Sequence, residues 1–297
     1  VPLPSSPTGV VSAEEFAFYD PAAVPAGDLL FAVADGQMVV VSDDAATPVA
    51  GPLGSAGPFR SVAVGLTATS GAAVSADGVS VTWGGLTGDS TEQTQQVGAD
   101  LAPPSFDRQD RVWVVDRDND ASRVLLLDDG VEPRQVPAGA LEEVRVERLQ
   151  IAPDGVRLAA IYQSDGASRL LLALVIADGD GDLRVGQLRD LPLQQVDAVD
   201  VAWASATTLA LLGDDAGDVQ PFLVEMANGA LSSRGQVVGA VSLAASPGQP
   251  LVIGTVPSPP PGEESAAVDE PVPTLVRQDA LQEWVPLVPG SSPTYAG

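Results

Sequence analysis

The chain reads as all-β, folded into a β-propeller of four-stranded antiparallel blades; six is the count, with five the alternative if the first strands join another unit. Three observations predict this. From Asp28 onward, short apolar runs are separated roughly every eight to twelve residues by Gly, Pro, Asp or Asn turns, as in all-β folds. Long helical periodicity is absent. A unit of four such strands also recurs: its first strand ends near Thr67, Phe106, Ala152, Ala204 and Ala245, about forty to fifty residues apart, the length of one blade.

Val1 to Pro25 is rich in Pro and Ala, with a weak capping box at Ser12 to Glu15, and reads as an arm from a preceding domain. The domain division is therefore 1–27 as arm and 28–297 as propeller. Leu29 to Gly54 supplies three strands without an obvious first strand. A propeller hides its edges by completing one blade from both ends of the chain, so this unit is read as the closing blade. Its missing strand is expected from Val10 to Tyr19 or from the C-terminal tail. Val62 to Gly88 with the following TQQVGAD, Leu101 to Gly139, Val146 to Leu191, Val199 to Gly239, and Ala240 to Gly290 form the five full units. The last carries an insertion at 256–273 with the composition of a mobile loop and a Pro-x-x-Pro at Pro257 to Pro260, where a polyproline ligand is weighed against plain loop.

Composition narrows the function. Among 297 residues there are 40 Asp and Glu against 14 Lys and Arg, no His and no Cys, for a net charge of -26. All fourteen cations are Arg. The absences remove thiolate and imidazole metal sites, Cys nucleophiles, His bases, Schiff-base lysines and the P-loop lysine. A chain this acidic repels polyphosphate and anionic headgroups, so nucleic acid and direct membrane-surface binding are excluded as partners. The longest apolar run, Leu170 to Ala177, is too short to span a bilayer. The start at Val1 reads as a fragment or processed form.

Carboxylates are the chemistry left. Paired acids hydrolyse glycosides in some propellers, but most Asp here (Asp35, Asp77, Asp128, Asp129, Asp154, Asp165) fall at turn positions where the side chain caps backbone. Acids clustered in the central channel would favour a carboxylate-based glycoside hydrolase. Calcium is the second alternative, from Asp178-Gly179-Asp180-Gly181-Asp182 and from Asp116, Asp118 and Asp120. Neither stretch completes an EF-hand loop, since Leu183 and Ala121 stand where Gly is required, so both read as hairpin turns. Trp83, Trp113, Trp203 and Trp284, in separate repeats, are expected in the inter-blade core. Arg108, Arg111, Arg117 and Arg123 are expected to pair with neighbouring acids rather than face an acidic partner. No catalytic, cofactor-binding or metal-ligating residue is assigned, and no cofactor is expected.

Taken in order, LLFAVADGQMVVV, PVAGPLG, SFDRQDRVWVVDR, LQIAPDGVRLAAI, VAWASATTLALLG and the tail WVPLVPGSSPTYAG resemble the β-propeller region of the actinobacterial LpqB lipoproteins. Ala296 and Phe106 depart from the family's usual Pro and Trp. The resemblance implies a non-enzymatic, extracytoplasmic protein whose full-length form carries a signal peptide, a lipidated Cys and a GerMN domain before the propeller. It also implies association with the sensor kinase MtrB of a two-component system. Membrane attachment would come only through the N-terminal lipid anchor, and the oligomeric state is left open.

Overall fold

A computed structural model describes residues 29–42, 45–55, 57–86, 92–118, 120–178, 182–193, 196–256 and 272–296. The N-terminal arm, most of the insertion and its Pro-x-x-Pro lie outside the described residues.

Six four-stranded antiparallel sheets form the blades, which settles the count. Blade 1 pairs β1 (Leu30–Ala34), β2 (Gln37–Val41) and β3 (Ala46–Pro48) with β24 (Ser291–Tyr295). The closing strand therefore comes from the C-terminal tail, and it takes the innermost position. Blade 2 is β4 (Phe59–Val64), β5 (Ser70–Ser75), β6 (Ser80–Gly85) and β7 (Glu92–Gln96). Blade 3 is β8 (Ser105–Phe106), β9 (Val112–Asp118), β10 (Ala121–Leu127) and β11 (Arg134–Gln135). Blade 4 is β12 (Val146–Ile151), β13 (Arg157–Ser164), β14 (Ala167–Ala177) and β15 (Leu183–Leu191). Blade 5 is β16 (Asp197–Trp203), β17 (Thr208–Asp215), β18 (Asp218–Glu225) and β19 (Ala230–Ser233). Blade 6 is β20 (Ala240–Ala244), β21 (Val252–Thr255), β22 (Thr274–Gln278) and β23 (Trp284–Pro289). The inner strands β24, β4, β8, β12, β16 and β20 touch in that order and close the ring.

The core is divided among the blade interfaces. Because side chains alternate across a strand, each middle strand feeds two apolar layers at once. Leu158, Ala160 and Tyr162 of β13 pack with Trp113, Val124 and Leu126 of blade 3, whereas Ala159 and Ile161 pack with Val201, Trp203 and Leu209 of blade 5. β1 does the same: Phe31 and Val33 face Phe59 and Val62, and Leu30 and Ala32 face Val252 and Leu275. Burial on both faces is why these strands read as unbroken apolar runs instead of alternating ones. Trp83, Trp113 and Trp203 are buried between blades, and Trp284 is half-buried against blade 5, as expected.

One irregularity recurs at a fixed place. Pairing along the inner edge of five blades slips by one residue near the start of the inner strand: between Phe59 and Ser61, Val146 and Arg148, Ala198 and Asp200, Ala240 and Ser242, and opposite Phe31 to Val33, where Ser291 and Thr294 are the partners. A bulge places its extra residue outside the ladder and re-aims the side chain. The residues so displaced, Arg60, Glu147, Val199 and Val241 together with Ser292, all line one mouth of the central channel.

Candidate functional site

That mouth holds a cavity of about 330 Å³ lined by residues from blades 1, 2, 4, 5 and 6 and by Pro103 just before blade 3; the bulge residues, Ser61, Arg148, Asp200, Ser242 and Ser291 complete it. Charge is concentrated on the side formed by blades 2 to 4. Asp100 accepts from Arg60 Nη2 at 3.1 Å, Arg117 Nη2 at 2.6 Å and Arg145 Nη2 at 3.0 Å. Glu147 accepts from Arg117 Nη1 at 2.5 Å and Arg145 Nε at 2.7 Å. Arg60 also donates to the Leu101 carbonyl. Three arginines from two blades and a connecting segment thus share two carboxylates, and a network of this kind holds its geometry better than isolated surface pairs.

Deeper in the wall lies a buried pair. Arg148 donates to both oxygens of Asp200, at 2.5 Å from Nε and 2.9 Å from Nη2. The same carboxylate accepts the backbone N–H groups of Val201 and Leu243, each at 2.8 Å. Inner strands of blades 4, 5 and 6 are therefore joined through one side chain. On the opposite side of the mouth two valines stand among serines: Val199 and Val241 are 38% and 47% exposed beside Ser242, Ser291 and Ser292.

Partial burial pushes the Asp100 carboxyl up, but hydrogen bonds from Arg117, Arg60 and Arg145 and the Arg117 charge outweigh it and hold the pKa at about 2. A depressed folded-state value means that the ion pairs stabilise the fold above the ordinary carboxylate range and stop doing so as pH falls through 2. Asp100→Asn is accordingly expected to melt below wild type at pH 5, with the gap narrowing between pH 4 and pH 2; thermal melts across that range check it.

Of the predicted turn acids, Asp77, Asp128 and Asp154 cap backbone N–H groups. Asp77 accepts from Val79 N at 3.2 Å, and Asp154 from Val156 N at 2.8 Å. Asp35 and Asp165 take left-handed backbone at hairpin tips. Asp154 does more than expected: it is buried and binds Arg157, whose guanidinium stacks 5.0 Å above Trp203. Asp107 holds the matching turn of blade 3 through Arg111, with Trp113 Nε1 donating to it at 2.9 Å. Of the arginines singled out from the sequence, Arg111 pairs with Asp107, Arg117 with Asp100 and Glu147, and Arg123 with Asp116.

The calcium candidates come apart. Asp116 is buried, binding Arg123 and the N–H groups of Ala99 at 2.8 Å and Asp100 at 3.4 Å, while Asp178 and Asp182 close the β14–β15 hairpin, where Asp178 N donates to Asp182 O at 2.8 Å. Gly179 to Gly181 lie outside the described residues. Among the described residues no group of three or more acids is placed to hold a metal ion. An excess of chelator is expected to leave the melting midpoint unchanged; a drop of several degrees would restore the calcium reading. For the hydrolase alternative, the channel acids Glu147 and Asp200 are each tied to arginine rather than paired with each other as acid and base.

Sequence reasoning missed Arg60, Arg145 and Arg148. Nothing in the spacing marks Arg60, because the aligned bulge positions carry Arg, Glu, Val, Val and Ser, and Arg145 and Arg148 merely flank the bulge at Glu147.

Fold and site together define a six-bladed propeller with a mixed charged and apolar rim around its channel. The family model of the lipoprotein LpqB β-propeller domain matches residues 36–257. The chain belongs to this family. It is 30% identical to the lipoprotein LpqB of Streptomyces coelicolor over 85% of its own length and 41% of the relative's. It is 32% identical to that of Streptomyces avermitilis over 67% and 35%, and 26% identical to that of Thermobifida fusca over 100% and 52%. The chain thus spans about half or less of these relatives. Among solved structures, the nidogen/laminin complex (TM-score 0.65, 12% identity, 91% of this chain and 98% of that one) and a putative TolB from Agrobacterium tumefaciens (0.58, 14%, 91% and 92%) share the fold. No helix among the described residues is long and apolar enough to cross a membrane.

Proposed function

We propose that this chain is the non-enzymatic interaction module of an extracytoplasmic lipoprotein, and that it docks onto the extracellular domain of an MtrB-type sensor kinase to tune cell-envelope signalling. In this reading residues 1–27 lead from an upstream domain, 28–297 form the module, and a lipid anchor on the N-terminal side attaches it to the cell membrane. The relatives' shared name, lipoprotein, supports that location. One observation carries the docking role: at the channel mouth every carboxylate is spent on arginine, and two valines stand exposed on bulges beside them. An enzyme needs acids free to exchange protons; a docking surface needs rigid apolar anchors ringed by fixed polar groups. The acidic exterior supports a protein partner over nucleic acid.

The experiment is direct titration of the propeller against the purified kinase extracellular domain by calorimetry. Saturable binding is expected. No measurable association, with or without the upstream domain, would overturn the docking role.

A further inference from the structure

A second, larger cavity opens beside the channel mouth. It is a groove of about 740 Å³ between blades 1 and 6, walled by Val39, Pro48, Val272, Pro273 and Val288. Ser291 lines both this groove and the mouth, so the two form one depression. Eight large hydrophobic residues stand exposed among the described residues, and four of them belong to this sector. Val272 (59% exposed) lines the groove, Val199 and Val241 line the mouth, and Val238 (76%) stands two residues before β20, where the Gly239 carbonyl accepts from Val256 N. Exposed apolar side chains gathered in one sector, rather than scattered singly, mark a contact with another molecule.

Charge sets the kind of partner. Arg60, Arg117, Arg145 and Arg148 stand on the far side of the mouth, held by Asp100, Glu147 and Asp200, with Asp77 beside Arg60. In the apolar sector the balance is reversed. Asp35 is the one charged residue lining the groove. On blade 5, Asp197 opens β16 two residues before Val199 and is the cross-strand partner of Asp214, and Asp215 is the partner of Asp218. None of these five carboxylates forms an ion pair among the described residues. The arginines on the neighbouring edges are Arg169 in β14, which binds Asp165, and Arg234 just after β19, whose Nε is buried. With Arg234 set against the four blade 5 acids, three negative charges remain. Asp197 caps Ser168 N at 3.1 Å and Asp214 caps Gly217 N at 2.6 Å, but Asn would cap as well without placing like charges opposite each other, which destabilises a sheet.

We propose that this depression binds a polypeptide segment in which aliphatic side chains are flanked by lysine or arginine. The aliphatic groups fill the groove and cover the valines, while the cations meet Asp35 on one side and the blade 5 acids on the other. The inference rests on the docking role proposed above for its choice of a polypeptide, and it names the chemistry of the segment that docks. Complementary charge at the rim of an apolar contact selects the partner and speeds encounter.

The full chain, labelled with 15N, is titrated with acetyl-Lys-Val-Leu-Val-Lys-amide, acetyl-Glu-Val-Leu-Val-Glu-amide and acetyl-Lys-Ser-Gly-Ser-Lys-amide. The first is expected to shift the amide resonances of Val241, Val272 and Ser291 saturably and to bind roughly ten-fold more tightly than either of the others. Asp214→Asn/Asp215→Asn/Asp218→Asn is expected to weaken that binding roughly ten-fold while melting at or above the wild-type midpoint, because it removes like charges from facing positions. Asp128→Asn/Asp129→Asn/Glu132→Gln removes as many charges from the other end of β10 and is expected to leave the binding unchanged, which separates this surface from the pull of net charge. Equal binding of the first peptide and either other, equal losses from the two triple variants, or no saturable shift would overturn the inference. Kinase binding that persists beside such a failure leaves the docking role standing. A selective peptide response with no kinase association overturns that role and assigns the surface to another cationic polypeptide.

Discussion

Asp200→Ala is expected to lower the unfolding free energy by about 3–5 kcal/mol, the cost of leaving a buried charge without its partner. Arg148 and Asp200 are 10% and 4% exposed at the side chain, so water entering from the cavity replaces the missing carboxylate only in part. The loss extends beyond one pair, since the N–H groups of Val201 and Leu243 lose their acceptor as well. Three inner strands are therefore loosened at once. A double variant, Arg148→Met with Asp200→Leu, is expected to recover most of the stability, because removing both charges removes the desolvation cost with them. Urea denaturation of the three proteins at matched pH checks this. A single-variant loss below about 1 kcal/mol would mean that the pair is solvated, in the range of surface ion pairs.

Deleting residues 290–297 is expected to abolish cooperative unfolding altogether. β24 is the inner strand of blade 1, paired with β1 through Leu30 and Tyr295, Phe31 and Thr294, and Val33 and Ser291. Its side chains serve both neighbours: Tyr295 packs in the layer shared with blade 6, and Ala296 in the layer shared with blade 2. The Tyr295 hydroxyl donates to the Pro250 carbonyl at 2.9 Å, and Ala296 N donates to Leu29 O at 3.1 Å. Without this strand the ring opens, two apolar layers lose a wall, and the inner edge of β1 is left unpaired. Those losses approach the 5–15 kcal/mol that a domain has in total. Near-UV circular dichroism, which reports the buried Trp83, Trp113 and Trp203, should collapse while much far-UV strand signal persists. A truncated chain with a sharp two-state melt would show that the tail is an addition to a ring closed by other means.

How far the sequence carried this account differs between scaffold and site. The blades were legible because their physics is repetitive. Runs such as LLLAL within β14 are apolar on both faces, and turns such as Pro153-Asp154-Gly155 need an Asp cap and a glycine at φ 74. The identity of the closing strand was ambiguous because Ser291–Tyr295 carries little apolar signal, with Pro293 within it, and its place is fixed by pairing with β1, far away in sequence. Pairing of the blade 3 arginines Arg111, Arg117 and Arg123 was foreseen from the excess of acids, but the partners were not. Arg117 reaches Glu147 across 30 positions and Arg145 reaches Asp100 across 45, distances that only the ring geometry supplies. The bulges at Arg60, Glu147, Val199 and Val241 share a position but range from cation to anion to apolar side chain, so repetition in the sequence could not expose the mouth they build.

The central claim is that this mouth is the docking face, and it is tested by titrating wild type and the double variant Val199→Glu/Val241→Glu side by side against the kinase extracellular domain. Both valines are already exposed on bulges, so the variant is expected to melt within about 1 kcal/mol of wild type. Its affinity is expected to fall at least ten-fold, because two charges replace the apolar anchors at the centre of the contact. Equal affinity for the two proteins would place the contact elsewhere and contradict the account.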